Sequence, residues 1–198
     1  MKNNSILVIG NGESVLNYNY GTIINNYSTV LRINNYKLKG YENQVGTKTD
    51  IWFNGANSKL KKPNSIPNKI IVAIPSSIII KKESELTNYV SKRLKLHENK
   101  FSLIPINQIK KYEELVRFNR LTTGLYSILW AIDNYEEVTI HGFDFFINSK
   151  SHYYNSKLTS ILKKYFSKKG YKHNNDLELN FVNKMIMKKK IKKIDISD

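Results

Sequence analysis

Ser5-Ile6-Leu7-Val8-Ile9-Gly10-Asn11-Gly12-Glu13-Ser14 runs an apolar, β-branched segment directly into a glycine-rich turn. Such a run has the length of a buried strand, and the turn at its carboxyl end is where an α/β sheet presents backbone N–H groups and a helix start to a phosphate. Gly10 and Gly12 let the backbone approach such a ligand closely. A plain strand-to-helix turn needs glycine as well, so this stretch alone leaves both nucleotide binding and simple chain reversal open.

Outward from that turn, residues 29–33, 50–53, 69–74, 101–106 and 138–141 repeat the pattern of short β-branched runs and, with 5–9, predict strands. Between them, 83–96, 108–117, 123–134 and 157–169 carry apolar residues at helical spacing. The alternation predicts βαβ units: an α/β fold, a single Rossmann-like domain over 1–198, with a mainly parallel sheet and helices on both faces. Residues 57–68, rich in Lys, Pro, Asn and Ser, predict an exposed loop. Residues 183–198 form a basic C-terminal segment.

A chain of 198 residues that is 40% hydrophobic can bury one substantial core. The absence of cysteine excludes disulfides, a thiolate nucleophile and Cys-ligated zinc or iron–sulfur centres. The net charge of +16 creates a field that attracts phosphates, nucleic acid or anionic lipid. The apolar run before Gly10 is too short for a signal-peptide core or a membrane span, which predicts a cytoplasmic protein.

Two further segments carry polar groups to strand or helix ends. In Leu31-Arg32-Ile33-Asn34, the Arg and Asn close an apolar strand, where open sheets bind ligands; alternatively Arg32 pairs with a carboxylate and Asn34 begins a turn. In Thr122-Thr123-Gly124, two hydroxyls and a glycine open an apolar helix; they suit a sugar carboxylate, or Thr122 is an ordinary N-cap.

Together these stretches resemble a known family. Gly10-Asn11-Gly12 with Arg32-Ile33-Asn34 and Gly40-Tyr41-Glu42 through Gly46 resembles the large motif of the sialyltransferases, glycosyltransferase family 29. Thr122-Thr123-Gly124 through Gly142-Phe143 resembles the small motif, and His152-Tyr153-Tyr154 the third. His173 with Glu178 five positions on resembles the final motif.

The resemblance implies a GT-A-like sialyltransferase variant: an inverting, metal-independent transferase moving sialic acid from CMP-sialic acid to a hydroxyl of a glycan or glycolipid acceptor. It places the CMP-sugar donor on Gly10, Asn11, Gly12, Asn34, Thr122, Thr123, Gly124 and Tyr153, with Arg32 and Glu178 in support. It makes His173 the general base toward the acceptor and His152 the group that stabilises departing CMP. Of the 4 histidines, His97 and His141 fall outside the catalytic motif positions. No Asp-x-Asp occurs, so no metal cofactor is expected, because a monophosphate donor leaves less charge to neutralise.

The same carboxylate-bearing donor chemistry admits CMP-Kdo as an alternative. A bacterial sialyltransferase family of different sequence shares a Gly-Asn-Gly start, but the Gly-Tyr-Glu stretch and the His-x4-Glu favour the first resemblance. A nucleic-acid-binding protein fits the charge and the 13 Tyr, 8 Phe and 2 Trp, yet the lysines are dispersed and no binding signature is present. The segment 183–198 suits either peripheral contact with an anionic inner membrane face or a solvated helix end.

Overall fold

The computed structural model describes residues 3–144, 153 and 174–194. They form one seven-stranded sheet in the order β5-β4-β3-β2-β1-β6-β7. Its strands are β1 (Asn3–Ile9), β2 (Val30–Ile33), β3 (Ile51–Asn54), β4 (Lys69–Val72), β5 (Ser102–Leu103), β6 (Tyr135–His141) and β7 (Lys192–Lys193). Every pairing is parallel.

The helices are α1 (Gly21–Asn26), α2 (Glu42–Val45), α3 (Ser76–Lys82), α4 (Leu86–Leu94), α5 (Ile106–Val116), α6 (Thr123–Asn134) and α7 (Asn175–Met187). Alternate side chains of one strand point to opposite faces. In β1, Ile6 and Val8 therefore join the core under α5 and α6, while Leu7 and Ile9 join Ile24 of α1 on the other face. All four are buried, as a strand covered on both sides requires. Each contributes about 1.5–3 kcal/mol of apolar burial, which fixes β1 at the centre of the sheet.

Each predicted strand is present, and α6 has the predicted bounds. The helix expected over 83–96 is shorter, and α3 precedes it. The Ser-Ser-Ile-Ile-Ile start of α3 is helical despite three β-branched residues in a row because Pro75, extended at its N-cap, leads the chain in and accepts the Ile78 and Ile79 N–H groups. The strand expected over 101–106 keeps only Ser102–Leu103, since Pro105 opens α5. The predicted helix 157–169 lies outside the described residues. Residues 57–68 carry no helix or strand.

The basic C-terminal segment is built into the domain as far as it is described. Asn183 falls within α7, Ile191 is buried in the main core, and Lys192 and Lys193 pair with Thr139 and Ile140.

Candidate functional site

Parallel strands bring all their carboxyl ends to one edge. The chain leaves β1 toward β2 on one side and returns as β6 on the other, so a topological switch point lies between β1 and β6. That edge gathers Gly10 to Ser14, Asn34, Asn54 to Ala56, the start of α6 and Gly142 to Asp144.

The glycine turn does different work from the expected phosphate cradle. Gly10 N–H donates to the His141 carbonyl at 2.7 Å and Gly12 N–H to that of Gly142 at 2.9 Å. A Cβ at Gly10 would lie 2.2 Å from the Gly142 oxygen. Ser14 donates its N–H and its hydroxyl to the Asp144 carboxylate. These glycines join the β1 and β6 turns, and the N–H groups of 10, 12 and 14 are consumed by protein.

The same edge carries a row of three asparagine amides. Asn11, buried, donates Nδ2 to the Ile33 carbonyl at 3.0 Å. Asn34 has φ +47 and accepts the Trp52 indole N–H on its carbonyl and the Gly55 N–H on Oδ1. Its turn role is therefore real, and Nδ2 is its remaining donor. Asn54, the last residue of β3, is fully buried, accepts the Ala56 N–H on Oδ1, and leaves Nδ2 without a partner. A buried amide donor left unmade costs about 1–3 kcal/mol, so this atom points to a ligand. Sequence reading missed Asn54 although Phe53-Asn54 repeats the signature of Ile33-Asn34.

Thr122 is the N-cap of α6: its hydroxyl oxygen accepts the Leu125 N–H at 3.1 Å. It also donates its N–H and hydroxyl to the two Glu178 oxygens at 2.7 and 2.5 Å. Thr122 is thereby spent on structure, and Glu178 supports the small-motif turn. The Thr123 and Gly124 N–H groups, at the open end of the helix, have no intrahelical partner. A Cβ at Gly55 would meet the Thr123 hydroxyl at 2.7 Å, which shows how closely that hydroxyl sits over the end of β3.

Burial raises the Glu178 carboxyl to about 6 from 4.5, against the lowering effect of its Thr122 bonds. An acid raised on folding contributes stability that is whole below its unfolded value and is lost as pH rises through the folded one. Glu178→Gln is thus expected to remove about 2 kcal/mol of pH dependence between pH 4.5 and 6. Urea unfolding of both proteins across that interval measures it.

Arg32 makes no ion pair among the described residues. It is buried and donates to the carbonyls of Val45 and Lys48 and to the Thr49 hydroxyl, tying down the loop after α2. Burial lowers it to about 10, which leaves it cationic at neutral pH. Tyr153 packs edge-on against Tyr41, exchanges hydrogen bonds with the Lys37 backbone and donates its own N–H to the Asn11 carbonyl. It positions Asn11 as a wall residue. His152 and His173 lie outside the described residues.

A buried carboxylate that sequence reading did not find sits behind the edge. Glu113 accepts the Ser76 N–H and hydroxyl and the Tyr126 hydroxyl, locking α3 to α6. Among the described residues no group of three His, Cys, Asp or Glu is placed to hold a metal ion.

Residues 3–190 match the model of glycosyltransferase family 29 (sialyltransferase). The chain is 27% identical over 224 residues to the type 2 lactosamine α-2,3-sialyltransferase of Mus musculus, covering 93% of this chain and 63% of that protein. Over 53 residues it is 42% identical to a β-1,6-galactosyltransferase of Arabidopsis thaliana, covering 27% of this chain and 13% of the relative. The crystal structure of a mammalian sialyltransferase superposes with a TM-score of 0.73 at 20% identity, covering 97% of this chain and 69% of that one. That last likeness is one of fold.

Proposed function

The chain belongs to glycosyltransferase family 29, the sialyltransferases, and from that premise we propose that it transfers sialic acid from CMP-sialic acid to a hydroxyl of a glycan acceptor, with inversion and without a metal. The observation that carries this reading is the unpartnered Asn54 amide beside the open start of α6. Amide donors along the strand ends suit the nucleotide, and the Thr123 and Gly124 N–H groups with the Thr123 hydroxyl suit the carboxylate of the sugar.

His173 takes the proton of the acceptor hydroxyl as its oxygen attacks the anomeric carbon. The bond to the phosphate oxygen breaks on the opposite face, and the electron pair leaves with CMP. His152 donates a hydrogen bond to that phosphate and offsets its growing charge. The transition state has oxocarbenium character, and a phosphate leaving group needs little acid assistance. A monophosphate also has less charge for a metal to neutralise.

Binding tests the donor assignment. CMP at about a hundred times its dissociation constant stabilises the fold by about 2.7 kcal/mol, a rise of roughly 5–10 °C in melting temperature. Asn54→Leu is expected to abolish that rise. CMP-sialic acid, CMP-Kdo, which carries the same carboxylate, and nucleotide-activated galactose, suggested by the plant relative, rank the donor.

Among the described residues no helix is long and apolar enough to cross a membrane. The lysine turn at 188–190 with Met187, 74% exposed, supports contact with an anionic bilayer. That turn precedes β7 and lies beside Glu136 and Glu137 at the start of β6, at the amino edge of the sheet. Docking there would point the carboxyl edge away from the bilayer. Replacing Lys188, Lys189 and Lys190 with glutamine is expected to release the protein from phosphatidylserine vesicles, read by sedimentation.

A further inference from the structure

Beyond the asparagine row, on the β7 side of the Gly142 turn, lies a cavity of about 520 Å³. Its size falls within the range of about 300–1,000 Å³ of small-ligand sites. The walls include Tyr18, Tyr20, Ser14, His141, Asp144 and Lys193. No step of the proposed transfer uses them.

Three features of this wall point to one ligand chemistry. Tyr18 and Tyr20 stack with centroids 4.9 Å apart at 10°, and Tyr18 is 52% exposed, an aromatic face offered to solvent. His141 is 8% exposed, and its buried Nε2 has no partner, so the side chain has an unmet hydrogen bond. Burial lowers its pKa to about 4, which keeps the ring neutral at physiological pH. The Asp144 carboxylate is fixed by two bonds from Ser14 and makes no ion pair among the described residues.

An aromatic face covers the apolar C–H face of a pyranose, and a fixed carboxylate with a neutral imidazole takes sugar hydroxyls. Ser14 and Asp144 line this cavity and also belong to the carboxyl edge, which places it within reach of the far end of an acceptor bound there.

We propose that this cavity is an acceptor subsite that takes a neutral hexose at least one sugar removed from the reacting hydroxyl. Its role in catalysis rests on the transferase reading, while sugar binding itself does not.

The test uses the full chain, with methyl β-galactoside, lactose and N-acetyllactosamine as probes in saturation-transfer NMR and titration. Both disaccharides are expected to bind without donor. Tyr18→Ala weakens them about tenfold, leaves CMP binding and the melting curve unchanged, and raises the disaccharide KM without altering kcat; Tyr18→Trp restores affinity. Disaccharide affinity equal in wild type and a folded Tyr18→Ala, competition by CMP, or no disaccharide binding would each overturn the subsite. Tyr18-dependent binding in a chain that releases no CMP from any donor would keep the subsite and reject the transferase reading.

Discussion

Replacing Glu178 with alanine is expected to lower the melting temperature by on the order of 10 °C and to weaken donor binding with it. The carboxylate is fully buried and accepts the N–H and the hydroxyl of Thr122. Alanine orphans both donors, at about 1–3 kcal/mol each, and leaves the volume of the side chain empty. It also relieves the desolvation that burdens the ionised carboxylate, about 2 kcal/mol at neutral pH. The orphaned donors and the cavity together outweigh that relief. Because Thr122 caps α6, freeing it lets the first turn fray where Thr123 and Gly124 meet the ligand. Glu178→Gln keeps an acceptor for the Thr122 N–H and should retain donor affinity. Calorimetry together with CMP titration separates the two variants.

Replacing His173 with alanine is expected to lower kcat by about 10²–10⁴ while the donor dissociation constant changes little. A general base acts on the acceptor proton in the transition state and contributes little to holding CMP. An unperturbed imidazole near pKa 6.5 serves this role around neutral pH, so wild-type kcat should rise with pH through that region. His173→Ala loses that limb of the profile. A fall in CMP affinity equal to the fall in kcat would place His173 in donor binding instead.

The frame of the molecule is legible where local pattern and tertiary packing agree. β1 reads as a strand because both its faces are buried, and α6 because Thr122 caps an apolar run. Legibility fails where the partner is distant. Arg32 ends a strand like a ligand residue, but it satisfies carbonyls of a loop 13 and 16 positions on, which no local pattern announces. Lys192 and Lys193 pair in the sheet on the strength of β6 beside them and the buried Ile191 before them. The glycines at 10 and 12 were readable as a tight turn, yet their closest neighbours belong to the turn after β6. Asn54 carries a local signal, an asparagine ending an apolar strand. Glu113 is hidden inside an amphipathic helix, where its charge reads as solvated, and only the fold brings Ser76 and Tyr126 to it.

The most direct test of the central claim follows CMP release and product mass when the purified chain meets CMP-sialic acid, a glycan acceptor panel and EDTA. The account predicts a product heavier by one sialic acid residue, formed with stoichiometric CMP, undiminished by EDTA and lost in His173→Ala. CMP-sialic acid left intact across the panel, or transfer that EDTA abolishes, would contradict it.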